Sequence, residues 1–297
     1  MKIIKDFIID YKSFKFSFVL KLSLFIFLFF SVNYFYFFLI SEILLIGISK
    51  IIHNFILLLS SVSTFFIAVK LIDKKNFSEY GIIFTNRSIN FTIFTIGFGL
   101  PFIISALFFA INIIFNLTEI QFIRFDINQL LAEAAIFLML SISEELIFRG
   151  YINFNIYHSI KDKKINEDLK IALSSIASGF IFSLAHFFNP DFSLISFANI
   201  FLAGVFLGMW TLKIKSLSFC ISFHFSWNFF QGSIFGFPVS GYFCDFALIK
   251  INLKKTSLAL NGGYFGIEGS LLLIMFFVFF IILTNNFLIQ KFKVESK

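Results

Sequence analysis

Two neighbouring glutamates followed by an arginine form the first group of residues in this sequence whose spacing could do chemistry. Glu145 and Arg149 stand four residues apart, the separation that lets a carboxylate reach a guanidinium on one face of a helix. Glu144 lies about 100° round the same helix and has no equally good local partner. Its carboxylate can therefore accept and return a proton, so Glu144 is the candidate general base. The alternative is a polar contact between helices.

Two histidine motifs follow further along the chain. Phe182 precedes His186 by one helical turn, a pattern that by itself is more typical of a buried core than of a catalyst. His224 and Asn228 are again four residues apart, so an imidazole and a carboxamide would share one helix face and could donate to a single oxygen. A structural hydrogen bond between helices would explain the second motif equally well.

Together these three groups contain the parts that hydrolysis of an amide bond requires. Glu144 and His186 could polarise a water molecule, which would attack the carbonyl carbon. His224 and Asn228 could then stabilise the negative oxygen of the tetrahedral intermediate. The three groups lie on separate predicted helices, so the fold must bring them to one place.

The elements that must position these residues are membrane helices. The chain of 297 residues is 59% hydrophobic and 14% charged, with a mean hydropathy of +0.93, whereas a soluble domain carries roughly 25% charged residues. The surplus of apolar side chains has to face lipid. This composition excludes a soluble enzyme, a disordered chain and a secreted disulfide scaffold. The two cysteines, Cys220 and Cys244, have no zinc-ribbon spacing.

Eight apolar stretches are long enough to cross a bilayer, and they lie near 17–40, 48–70, 89–115, 128–157, 171–189, 192–212, 217–236 and 269–289. With the N-terminus in the cytoplasm, seventeen Lys and Arg residues fall in the cytoplasmic segments and five in the others, as the positive-inside rule requires. We predict an all-α protein of the cytoplasmic membrane, with both termini in the cytoplasm. One polytopic domain would cover 1–297, with its catalytic core at 128–236. The Gly-rich run 261–270 is predicted to be a turn.

The two histidine motifs are expected to lie at different depths. With a rise of about 1.5 Å per residue, His224 would lie about 13 Å past Lys215, and His186 would lie about 24 Å past Lys170. The fifth helix must therefore tilt or begin outside the bilayer surface.

The three motifs, in this order, resemble those of the CAAX prenyl protease and bacteriocin-processing (CPBP) family of intramembrane proteases, also called Abi proteins. The family pattern is EExxxR, FxxxH and HxxxN on successive helices. Here it reads Glu144-Glu145-x-x-x-Arg149, Phe182-x-x-x-His186 and His224-x-x-x-Asn228. The segment 262–269 is similar to a glycine-rich segment that many bacterial members carry before their final helix. The Phe- and Ile-rich composition, typical of an AT-rich genome, favours a bacterial member.

The resemblance implies an eight-helix bundle with a polar cavity open toward the cytoplasm, and an endopeptidase activity. Its substrate would be a peptide or a membrane-associated protein, with or without a lipid modification, and we expect no nucleic-acid partner. By position, the water-activating pair, the oxyanion site and the supporting pair correspond to Glu144 with His186, His224 with Asn228, and Glu145 with Arg149.

Metal dependence is left open by the sequence. Glu144, His186 and His224 could supply three zinc ligands, with water in the fourth position. Against this, the chain has no HExxH motif, and a carboxylate beside each histidine is hard to find. We therefore favour a mechanism without a cofactor.

Two other functions compete with proteolysis. A non-enzymatic immunity or scaffold protein of the same fold would bind a peptide without cutting it. A secondary transporter would use the buried Glu, Arg and His residues as an ion path. Transporters usually carry paired broken helices in two matching halves, and the three prolines, Pro101, Pro190 and Pro238, show no such pairing.

Overall fold

The computed structural model of this protein describes residues 9–10, 15–16, 18–43, 49–82, 87–162, 164–254, 257 and 259–284. Most of these residues are helical. The α-helices are α1 Phe18–Phe38, α2 Lys50–Ile67, α3 Arg87–Ile114, α4 Ile127–Glu145, α5 Phe154–Ser159, α6 Glu167–Ala185, α7 Leu194–Ile214, α8 Ser218–Asn228 and α9 Leu271–Leu283. π-Helical segments extend α1, α2, α4 and α8 over Leu39–Ile43, Ala68–Ile72, Leu146–Asn153 and Phe229–Ile234.

Short strands and 3-10 turns make up the remaining regular structure of the described residues. The strands are β1 Ile9–Asp10, β2 Lys15–Phe16, β3 Thr118–Ile123 and β4 Ile249–Leu253, and the 3-10 turns are Phe77–Tyr80, Gly263–Phe265 and Ile267–Gly269. The strands pair antiparallel, β1 with β2 and β3 with β4. The second pair joins the connection after α3 to the long connection after α8. In the same long connection, the backbone N–H of Phe246 donates to the buried side-chain carboxylate of Glu133 in α4, at 3.1 Å.

The helices fall into eight units that follow the predicted spans. Helix α4, its π-helical segment and α5 run without a break from residue 127 to 159, and therefore form one unit. Within the described residues, five units are long and apolar enough to cross a membrane, over Val19–Glu42, Lys50–Ile72, Phe91–Ile114, Glu167–Ala185 and Leu194–Ile214. Helix α9 is apolar but shorter. These findings support the predicted all-α membrane protein, and the count of eight spans stays a prediction.

Side-chain caps determine where the site-bearing helices begin. The Asp126 carboxylate accepts a bond from Asn128 N at 3.0 Å and starts α4. The Asn166 side chain accepts from Leu169 N at 2.8 Å and starts α6. Both residues have extended backbones and satisfy amides that a helix start leaves without partners.

The predicted fifth span, 171–189, extends too far at its end. Helix α6 stops at Ala185, and His186 is its C-cap residue, with φ −96° and ψ 1°. Pro190 follows four residues later and has no N–H with which a helix could continue. His186 therefore lies at the far end of α6, whereas His224 lies in the middle of α8, which accounts for their different expected depths.

Successive helical units run in opposite directions, so the connections between them lie alternately at two faces of the bundle. One face, here called the lysine-rich face, carries the connections 73–82, 160–166 and 215–217. Contacts across it include the Lys21–Asp73 ion pair and a bond from Leu217 N to Gly81 O of 3.0 Å. The opposite face, here called the β3–β4 face, carries 115–126, 186–193 and 235–270. Asn189 Nδ2 donates to Ser240 O there at 3.1 Å.

Helix α7 is the central helix of the bundle and packs on α6, α8 and α9. Its approach to α6 depends on glycine, because a Cβ built on Gly204 would lie 2.6 Å from the Gly179 Cα. Around α7, buried rings of Phe206, Trp210 and Phe219 form the core. The close α6–α7 packing fixes the helix that carries Phe182 and His186.

Candidate active site

The acidic pair lies where the α-helix of α4 gives way to π-helix. Glu144 and Glu145 are the last two residues of α4, and Arg149 lies within the π-helical segment. Local π-helix is rare and occurs frequently at functional sites, because the wider turn changes which side chains share a face. Here the turn still lets Arg149 Nη1 reach Glu145 Oε1, at 3.0 Å.

Glu145 binds a histidine from another helix as well as its arginine. Its Oε1 accepts a bond from His224 Nδ1 at 2.8 Å, across a sequence separation of 79 residues. Glu145 and Arg149 are both buried. The sequence predicted that Glu145 and Arg149 would neutralise each other, whereas the structure shows that they also orient His224. Because the carboxylate accepts, His224 Nδ1 carries the proton and Nε2 points elsewhere.

Nε2 of His224 faces the other glutamate. Its distance to Glu144 Oε2 is 3.8 Å, too long for a direct hydrogen bond. Glu144 Oε2 has no hydrogen-bond partner in the described part of the chain, and the Glu144 side chain is one-fifth exposed. His224 thus lies between the two carboxylates, and of these the Glu144 side chain is partly exposed whereas that of Glu145 is fully buried.

His186 is held by its own helix. Its Nδ1 lies 2.9 Å from the carbonyl oxygen of Phe182, to which it must donate, since a carbonyl only accepts. Nε2 of His186 is therefore the nitrogen left to accept a proton or a hydrogen bond.

The ring of Phe182 packs against the other motif residues. Its centroid lies 4.1 Å from the guanidinium carbon of Arg149, a cation–π contact. The ring centroids of His186 and His224 lie 4.7 and 6.2 Å away, both edge-on. The sequence identified Phe182 only as part of a spacing pattern. In the structure it is the residue around which the three motifs pack.

Four of the six predicted site residues line one cavity of about 370 Å³. These four are Glu144, His186, His224 and Asn228. Glu145 and Arg149 do not line it, but Glu145 is bonded to His224, and Arg149 packs on the ring of Phe182. The fold therefore brings the predicted water-activating and oxyanion residues to one space, and places the predicted supporting pair outside it.

Glu268 is a cavity residue that the sequence analysis did not select. This buried carboxylate accepts bonds from Trp227 Nε1 at 3.1 Å, from Ser240 N at 2.7 Å and from Gln231 Nε2 at 3.3 Å. It lies in the Gly-rich run that was predicted to be a turn, and this run does form turns. The sequence signal that could have identified Glu268 is an acidic residue shortly before an apolar helix. Trp227 precedes Asn228, so Glu268 holds the helix that carries the predicted oxyanion residue.

The cavity also borders on a thiol, Cys244. Burial of the sulfur, with a further contribution from the Glu133 carboxylate, raises the pKa of this thiol to about 12. The group is therefore protonated at neutral pH and is a poor nucleophile, because the thiolate is the reactive form.

The predicted zinc ligands do not form a metal-binding group as they stand. Among the residues that the structure describes, no three His, Cys, Asp or Glu side chains converge as ligands of one ion would. From the sequence, no carboxylate was evident beside the histidines, but Nδ1 of His224 donates to Glu145, and Nδ1 of His186 donates to a carbonyl. Contacts of this kind also orient metal-ligating histidines, and each ring keeps one nitrogen that could bind an ion. The mechanism without a cofactor stays a prediction.

The comparison with known protein families gives one match to this region. Residues 126–230 match the type II CAAX prenyl endopeptidase Rce1-like family. The matched segment contains all three motifs and the helices α4 to α8 that carry them. No curated protein and no solved structure matches the chain. Residues 126–230 are therefore similar to this family, as the order and spacing of the three motifs predicted.

Proposed function

We propose that this protein is an intramembrane endopeptidase that hydrolyses a peptide bond with a water molecule activated by Glu144. The observation that carries the proposal is the unpartnered Glu144 oxygen, 3.8 Å from His224 Nε2, in a cavity that His186 and Asn228 also line. The Rce1-like family match supports the reaction class. The catalytic region would be 128–236, within one polytopic domain of the cytoplasmic membrane.

Water activation is the first step of the proposed mechanism. Glu144 takes a proton from a water molecule, and His186 Nε2 accepts a hydrogen bond from the second water proton. The water oxygen then attacks the carbonyl carbon of the substrate. The apolar cavity walls restrict bulk water, which strengthens these electrostatic contacts.

Stabilisation of the tetrahedral intermediate and its breakdown into products complete the reaction. The amide of Asn228 and Nε2 of His224 donate to the negative oxygen of the tetrahedral intermediate. For this, His224 carries protons on both nitrogens, and the Glu145 carboxylate is its counter-charge. The C–N bond then breaks, Glu144 returns its proton to the leaving amine, and the products are a carboxylate and an amine. No step uses a metal ion.

The test compares new protein and peptide termini in cells that carry either the wild type or Glu144→Gln, at matched membrane abundance. Because Glu144 Oε2 has no hydrogen-bond partner among the described residues, this isosteric change should leave folding intact. We expect the termini produced by the wild type to fall by a factor of about 10² or more, as loss of a general base predicts. Identical termini in both strains would reject proteolysis and favour binding without cleavage.

A further inference from the structure

The cavity opens at one face of the bundle. Tyr242 and Phe243, which line it, are 57% and 46% exposed, and Lys50 beside them is also exposed. All three belong to the β3–β4 face. Other lining residues, such as Leu207 and Phe223, are buried. In the described part of the chain, no connection on the lysine-rich face contributes a lining residue.

Charge distinguishes the same two faces. Among the residues that the structure describes, eight lysines lie beside the lysine-rich face and four Lys or Arg residues beside the β3–β4 face; they are Lys70, Lys74, Lys75, Lys161, Lys164, Lys170, Lys213 and Lys215, and Lys50, Arg124, Lys250 and Lys254. Lys21, which the sequence left within a span, also lies at the lysine-rich face, through its ion pair with Asp73. The positive-inside rule therefore assigns the lysine-rich face to the cytoplasm.

These two observations conflict with one expectation from the family resemblance. Cytoplasmic termini and a cavity open toward the cytoplasm cannot both hold, because α1 begins at the lysine-rich face and the cavity opens at the opposite one. The charge distribution rests on many residues, whereas the cytoplasmic opening was implied by resemblance alone.

We propose that the cavity opens on the non-cytoplasmic face and receives its substrate from that side. The proposal rests on the proposed protease function and narrows its substrate class. The substrate would be an extended, apolar peptide segment of an exported or membrane-anchored chain, with its scissile bond within the outer part of the bilayer.

The composition of the mouth agrees with such a substrate. The Lys50–Asp245 ion pair, at 3.1 Å, joins α2 to the connection that carries Tyr242 and Phe243. Inside the mouth the walls are mainly apolar, and the polar atoms belong to side chains such as those of Asn54 and Ser240. An apolar peptide would bury its side chains against these walls, while the polar groups could bond to its backbone.

The experiment measures which face reagents reach in intact cells. A Cys244→Ser chain removes the thiol that borders the cavity, and one cysteine is then introduced as Tyr242→Cys at the mouth, Gln121→Cys on exposed β3, or Lys161→Cys on the lysine-rich face. A bulky, membrane-impermeant maleimide is applied before and after permeabilisation. We expect Tyr242→Cys and Gln121→Cys to be labelled in intact cells, and Lys161→Cys only after permeabilisation. The reverse pattern would overturn the proposal.

A second readout separates this proposal from the protease function. Labelling Tyr242→Cys in intact cells should abolish the termini that depend on Glu144, whereas labelling Gln121→Cys, on the same face but away from the cavity, should not. Unchanged termini after complete labelling at residue 242 would overturn the proposed entry route. If the unlabelled chain produces no Glu144-dependent termini, the protease function fails, and the labelling pattern still decides which face is open.

Discussion

At the scale of single residues, two neighbouring carboxylates differ in their partners and in their exposure. Glu145 is bonded to Arg149 and His224, so its charge is balanced and its position is fixed. Glu144, the preceding residue, is partly exposed and lines the cavity, whereas Glu145 does not line it. The neighbouring positions on one helix therefore provide one group that orients His224 and, in the proposed mechanism, one for proton transfer.

Removing the positive charge of Arg149 should lower both the stability of the fold and the peptidase activity. Arg149→Ala would leave Glu145 buried with no cation beside it, a loss of about 3–5 kcal/mol. We expect a lower melting temperature in detergent and less protein in the membrane. Arg149→Lys keeps the charge but loses the planar guanidinium that packs on Phe182. Its melting temperature should therefore lie between those of Arg149→Ala and the wild type. Wild-type stability of Arg149→Ala would contradict the assigned role.

The Glu268 carboxylate should be a positioning group. Glu268→Gln replaces one acceptor oxygen by a donor that faces Gln231 Nε2 and Ser240, at a cost of about 1–3 kcal/mol. Because these bonds hold α8 and the cavity rim, we expect a lower kcat with a smaller change in KM. Glu119→Gln, on exposed β3, is the matched control. Equal kcat values for Glu268→Gln and the wild type would show that the contacts do not position the site.

At the scale of elements, helix packing and irregular helix determine where the motif side chains meet. The π-helical segment after α4 carries Arg149, which packs against the ring of Phe182. Helix α6 ends at Ala185, so His186 is its C-cap residue and does not lie within the helix. The close contact of α6 with α7 at Gly179 and Gly204 then fixes α6 in the bundle.

A methyl group at this contact should therefore affect the site from a distance. Gly204→Ala would put a Cβ 2.6 Å from the Gly179 Cα, and overpacking of this kind costs about 1–3 kcal/mol. We expect lower thermal stability together with reduced peptidase activity, because α6 carries Phe182 and His186. Gly99→Ala on α3, where a Cβ meets nothing within 4 Å, is the matched control. Equal stability and activity of Gly204→Ala and Gly99→Ala would contradict the role of this helix contact.

At the scale of the whole molecule, the helices bring Glu144, His186, His224 and Asn228 to the same cavity, whose walls are mainly apolar. The proposed mechanism accordingly uses side chains from α4, α6 and α8, and the Glu268 turn closes the site from behind Trp227.

Chelation should leave the activity intact. Because Glu144, His186 and His224 are not grouped as three ligands of one ion, prolonged treatment of the purified protein with a strong chelator should not change the cleavage rate. The measurement is the rate before chelation, after it, and after addition of Zn²⁺. A rate that falls on chelation and returns with Zn²⁺ would assign a metal to the mechanism.

The sequence alone was sufficient for properties that depend on composition or on neighbours along one helix. Apolar content predicted a helical membrane protein, the spacing of Glu145 and Arg149 predicted their ion pair, and three ordered motifs predicted the family of 126–230. Each follows from helix geometry or from the cost of charge in lipid, which local sequence expresses directly.

Contacts between distant helices were decided by the tertiary structure. The bond from His224 to Glu145, the packing of Phe182 against Arg149, and the position of Glu268 in the cavity all join segments tens of residues apart. The face at which the cavity opens likewise depends on which helix ends surround it. Spacing along the chain fixes an angle on one helix, but the rotation and depth of its neighbours come only from how the whole bundle packs.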